Sequence, residues 1–206
     1  MRAISCIRSM NGFRVFADPW WVNLLVLVPF VSFYFWRRTG LAIERSTLAL
    51  AAVLGLAFGF VEAVVVVYLR GAIGLVPAPG AATAQVSVHD IPSHLLAIEV
   101  VREAATIAML VAVAFLSARR ATERWAMFLY VFALWDLSYY AGLWATIDWP
   151  TSLLTDDILF LIPVPWISQV WYPVAVSGLS VLAVVVASRI GRHRELVQGS
   201  ARTASC

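Results

Sequence analysis

The stretch SHLLAIEVVREAATIAMLVAVAFLS, residues 93–117, decides how this chain is read. It is long and apolar enough to cross a bilayer as a helix, yet it carries Glu99, Arg102 and Glu103. Helical positions three and four apart share a face, so Glu99, Arg102, Glu103 and Thr106 make one polar stripe on an apolar cylinder. Ionisable groups at membrane depth are costly; they face protein or water and mark function.

The rest of the chain agrees with a membrane setting. Of 206 residues, 62% are hydrophobic and only 13% charged, which no soluble domain of this size matches. Every strongly basic residue is arginine, so a lysine Schiff base or any lysine-based covalent chemistry is excluded. The net charge of +3 comes from arginines in loops and tails and reads as topology rather than nucleic-acid binding. Cys6 and Cys206 lie at opposite ends and form no dithiol motif.

Five spans are expected, at about residues 20–36, 47–69, 94–117, 125–147 and 166–188, in one all-helical domain. Residues 1–19, with Arg2, Arg8 and Arg14, read as a short interfacial helix. The first apolar run is expected to stay as a span, because Arg37 and Arg38 follow it without a small-residue cleavage site. In the second span Ala51, Gly55, Gly59 and Ala63 recur every four residues, a stripe that lets another helix approach closely, and Glu62 lies beside it. Asp136 sits inside the fourth span with Tyr139 and Tyr140 on its face. Pro173 predicts a kink in the fifth.

Two loops remain, 71–93 and 148–165. The first is rich in Gly, Ala and Pro and ends in His89, Asp90 and His94. These residues could cap the third span or supply metal ligands, although His94 points about 140° away from Glu99 on an ideal helix. In the second loop, residues 153–162 are too short to span before Pro163 and Pro165, so a short interfacial or re-entrant helix is expected, with Asp156 and Asp157 at its mouth.

With five spans, Arg37, Arg38, Arg45, Arg119, Arg120, Arg124, Arg189, Arg192, Arg194 and Arg202 fall on one side, against Arg2, Arg8, Arg14 and Arg70 on the other. The arginine-rich side is expected to be cytoplasmic in the cell membrane, with the N-terminus outside and both loops on the outer face. From that face Glu62, Glu99, Glu103 and Asp136 lie at depths of about 8 to 18 Å.

Four such acids against Arg102 leave three negative charges that protons, a divalent metal ion or water must balance. Three function classes follow. Glu62, Glu99, Glu103 and Asp136 could bind a cation or protons in transport or sensing, with Arg102 as electrostatic partner and Thr106, Tyr139 and Tyr140 as supporting donors. They could form a carboxylate-rich metalloenzyme site, although no histidine stands where a Glu-x-x-His pair needs one. Or they could be the buried ion-pair network of an accessory subunit, whose partners would be other membrane subunits or a second copy in the lipid bilayer.

Overall fold

The computed structural model describes residues 17–72, 74, 92–160 and 162–203, with only the backbone for Ser93, His94, Phe160, Gly199 and 201–203. A 3-10 segment, Trp20–Val26, leads into α1 (Leu27–Trp36). There follow α2 (Arg45–Ala72), α3 (Ser93–Ser117), α4 (Ala121–Ile147), the strands β1 (Asp156–Phe160) and β2 (Trp166–Gln169), and α5 (Trp171–Thr203). Four helices are long and apolar enough to cross a membrane, in α2, α3, α4 and α5; Trp20–Trp36 is a shorter apolar helical run.

The centre of the bundle is α4, which packs against α2, α5 and α3. In α4, 61% of the apolar window is buried, against 17% in α3, which turns most of its surface outward. Leu110, Met127, Val131 and Val184 fill the core where these helices meet. The small-residue stripe of α2 packs on α4, as the sequence predicts. A Cβ added at Gly55 would lie 3.0 Å from the Leu134 Cβ, and one at Gly59 would run into the Trp135 carbonyl. The approach is mutual, because a Cβ at Gly142 would lie 2.8 Å from that of Ala63. The Ser138 hydroxyl donates to the Leu56 carbonyl (2.6 Å) across the same seam.

The segment after α4 differs from expectation. No helix forms at 153–162; Asp156–Phe160 pairs antiparallel with Trp166–Gln169, with Asp156 opposite Gln169 and Ile158 opposite Ile167. Pro163 and Pro165 divide two short β-favouring runs, DDILF and WISQ, and proline between such runs makes a turn. Asp18 adds to the outer edge of β2 through two backbone hydrogen bonds with Ile167 (2.9 and 2.8 Å). The last span therefore starts at Trp171, not Trp166. Pro173 falls in its first turn, where amide protons have no helical partner, so the expected basis for a kink is gone. The interfacial reading of residues 1–16 lies outside the described residues.

At the opposite end, Gly40 (φ +72°) turns the chain out of α1, and Leu41 donates to the Ala187 carbonyl (3.0 Å) of α5. Gly191 leaves room for that backbone approach.

Gly59→Ala is expected to cost about 1–3 kcal/mol, because the added methyl meets main chain that cannot yield. Gly178→Ala, where a Cβ meets nothing within 4 Å, should be neutral or gain up to about 1 kcal/mol of helix propensity. Thermal unfolding of both variants in one detergent measures the contrast.

Candidate functional site

Helical spacing on α3 puts Glu99, Arg102 and Thr106 on the side facing Glu62 of α2. Arg102 pairs with both acids: Nε and Nη2 donate to Glu99 Oε2 (3.0 and 2.7 Å), and Nη1 forms an ion pair with Glu62 Oε2. The Thr106 hydroxyl, 1% exposed, donates to the other Glu62 oxygen (3.1 Å). Glu62 is 5% exposed, so water contributes little and the guanidinium and hydroxyl replace its hydration. These contacts join two helices that pack far less on each other than each does on α4. Glu103 is half-buried one position beyond Arg102, with its charge close to both Glu99 and Arg102.

Asp136 does not join them. It is 7% exposed and directed at α5, where the Ser177 hydroxyl donates to its Oδ2 (2.8 Å). Among the described residues that hydroxyl is its one hydrogen-bond donor. The four acids thus do not share a chamber, and no group of three or more His, Cys, Asp or Glu side chains is placed to hold a metal ion among the described residues. The physical reason is the width of a helix face. Tyr139 and Tyr140 lie about 60° to one side and 40° to the other of Asp136 around the helix, enough for each to meet a different neighbour.

A further acid, Asp157, is held at the hairpin. Tyr140 donates its hydroxyl to Asp157 Oδ2 (2.9 Å), while the Arg70 guanidinium lies 4.5 Å from the centre of the Trp149 ring beside them. Burial pushes the Asp157 carboxyl up to about 6; the Tyr140 hydrogen bond and the charge of Arg70 restrain the rise. Tyr139 stands between the two regions, within electrostatic reach of Asp157 and Arg70 on one side and of Arg102 and Glu99 on the other. Asp136 and Asp157 also feel each other. The arrangement is a broken polar path of three bonded groups, Glu62–Arg102–Glu99, Tyr140–Asp157 and Asp136–Ser177, which no hydrogen bond joins among the described residues; the Tyr139 ring packs on that of Tyr140 (centroids 5.3 Å apart).

Of the other expected residues, Asp156 is at the start of β1, with its Oδ1 buried and without a hydrogen-bond partner among the described residues. His89, Asp90 and the His94 side chain lie outside the described residues, and α3 begins after Pro92 with no side-chain cap. Ser177, Arg70 and Trp149 were not anticipated. Ser177 and Ser180, three apart in an apolar run, were the available signal for a polar patch on α5.

Compared with known proteins, the chain matches no family model, no curated protein and no solved structure.

Two outcomes test the geometry. Arg102→Met alone should destabilise by about 3–5 kcal/mol, because it strands two buried carboxylates. Combining it with Glu62→Gln and Glu99→Gln should recover most of that loss in detergent unfolding.

The second concerns pH. Asp157 binds its proton more tightly in the folded chain than at the ordinary aspartate value of 3.8, so its contribution to stability falls as pH rises from there through about 6. Relative to Asp157→Asn, the wild type should therefore melt higher at pH 4 than at pH 7. A constant difference between the two melting curves contradicts the assignment.

Proposed function

We propose that this chain is a multi-pass membrane protein that binds protons at buried carboxylates near its extracytoplasmic side, in transport or sensing. The observation that carries the reading is the setting of Asp136: a carboxyl group inside the bundle whose partner is a neutral hydroxyl, not a cation. Asp157 is likewise hydrogen-bonded by a hydroxyl, that of Tyr140, with Arg70 close enough to offset part of its charge. The Asp136 carboxylate, whose described partner is the Ser177 hydroxyl, has no charge to balance it, and taking up a proton removes the cost. Arg102, engaged by two acids, anchors the path electrostatically.

The proposed topology has five crossings. Seven 3-10 residues rising about 2.0 Å each and ten α-helical residues rising about 1.5 Å each give Trp20–Trp36 a length of about 29 Å, against a hydrocarbon core of about 30 Å. With that crossing, the uneven arginine distribution supports an outside N-terminus and a cytoplasmic C-terminus. The polar path then lies toward the outer face.

A second reading is favoured by the Arg102 contacts. An arginine shared by carboxylates of two helices is also how an accessory subunit of a membrane complex would fix its packing.

Infrared difference spectroscopy of the purified chain in lipid, recorded as pH is stepped, separates the two. Proton binding predicts a protonated-carboxyl band that titrates and that Asp136→Asn removes or shifts. A spectrum without a titrating carboxyl band, or with one that Asp136→Asn leaves unchanged, sinks the proton reading. Copurification of a stoichiometric partner from native membranes would instead favour the subunit.

A further inference from the structure

A cavity of about 530 Å³ lies between α1, α3, α4 and α5, and Arg102, Glu62 and Glu99 are not among its described lining residues. Its walls come from the helices α1, α3, α4 and α5, from the 3-10 segment, and from Ile162 and Trp166 of the hairpin. The start of α1 and the 3-10 segment before it give Val28 and Leu25, α3 gives Ala104 and Ile107, and α5 gives Val176, Ser177 and Ser180. The back wall is α4, where Trp125, Phe128 and Phe132 follow one another as a ladder of rings with centroids 5.7 and 5.8 Å apart. A smaller hollow adjoins it, sharing Leu25, Phe132, Trp166, Val176 and Ser177 and ending at Asp136. From Trp125 to Asp136 the slot is about 17 Å long, taking eleven helical residues. It opens sideways, because α1 and α3 flank it but barely pack on each other. Trp125 and Ala104 are exposed at the rim.

The chemistry of the walls narrows the occupant. The volume is that of a small-molecule site, and the lining is apolar and aromatic along its length. The polar groups are gathered at one end: the Ser177 and Ser180 hydroxyls and the Asp136 carboxyl. Ser177 already donates to Asp136, and Ser180 donates to the Val176 carbonyl, so these hydroxyls and the carboxyl present acceptor oxygens, with the Trp166 indole N–H as a donor lining both hollows beside them. Among the described residues, no arginine or histidine lines either hollow. A fatty-acid carboxylate or a phosphate headgroup would meet a second anion without a cation to pair it. A neutral hydroxyl would find an acceptor.

We infer that the slot between α1 and α3 binds a linear neutral lipid through its single hydroxyl group, with the apolar chain along the Trp125–Phe128–Phe132 ladder and the hydroxyl donating to Asp136. The contact needs only a carboxyl oxygen with a free lone pair, so it holds in either protonation state of Asp136 and does not depend on the proton reading.

The test uses the full chain in phosphatidylcholine nanodiscs with a photoreactive diazirine analogue of dodecanol. Labelling should map to the peptide containing Trp125–Phe132. Unlabelled dodecanol should compete about tenfold better than dodecane, the advantage of one buried hydrogen bond, and dodecanoate should compete poorly. Asp136→Leu should bring dodecanol and dodecane to about parity. Ala104→Trp, at the exposed rim and not among the described residues lining the hollow at Asp136, should block labelling while leaving the titrating carboxyl band in place, and it serves should Asp136→Leu fail to fold. Equal competition by dodecane, effective competition by dodecanoate, or labelling indifferent to Ala104→Trp would each overturn the inference. So would a slot already filled by a phospholipid acyl chain that dodecanol cannot displace, or labelling confined to an interface with a second copy.

Discussion

Two helices lying nearly backbone to backbone set the geometry of everything polar in this protein. Glycine at 55, 59 and 142 removes the side chains that would hold α2 and α4 apart, and the Ser138–Leu56 hydrogen bond closes the seam. In a bilayer there is no hydrophobic force to bring helices together, so contact of this kind and a few interhelical hydrogen bonds must supply the attraction. Once α2 is seated, Glu62 is committed to the bundle interior, and the position of its carboxylate determines where α3 can settle. Arg102 and Thr106 meet that carboxylate, and α3 completes its fit on α4.

The two polar ends of the path differ in kind. Around Arg102 one guanidinium serves acids from two helices, so the carboxylates there share a cation although they outnumber it. Around Asp136 and Asp157 the acids are held by hydroxyls from α5 and α4. The first arrangement resists change, since removing a member strands a buried charge. The second tolerates a change of charge, because a hydroxyl can turn from donor to acceptor as a carboxyl gains its proton. Keeping the two kinds of site on separate side chains lets the bundle keep its packing while the carboxyl groups vary.

What the sequence disclosed follows the physics of helices in lipid. Long apolar runs located α2, α3 and α4 to within a few residues, and spacing on α3 identified Glu99, Arg102 and Thr106 as a shared face. The small residues of α2 named their own role. Three features escaped. The strands at 156–169 contain apolar runs that a membrane reading assigns to helix, and only Pro163 and Pro165 hinted otherwise. The direction of Asp136 depends on tens of degrees of rotation about α4, which residue spacing does not resolve. Ser177 as its partner required knowing that α5 lies against α4 on that side, a question of topology rather than of local pattern.

The pairing of Asp18 with Ile167 of β2 at one end, and of Leu41 with Ala187 of α5 at the other, ties both flanks of the apolar segment 20–36 to residues far later in the chain. The Tyr172 hydroxyl adds a third tie, donating to the Val22 carbonyl (2.8 Å) 150 positions earlier in the chain. None of these bonds can form until the ribosome has delivered the final helix to the membrane. Until residues 167–187 have been made, the segment 20–36 can be held by α4, where the Trp125 indole donates to the Ser32 hydroxyl (2.9 Å), and the later bonds then close a ring.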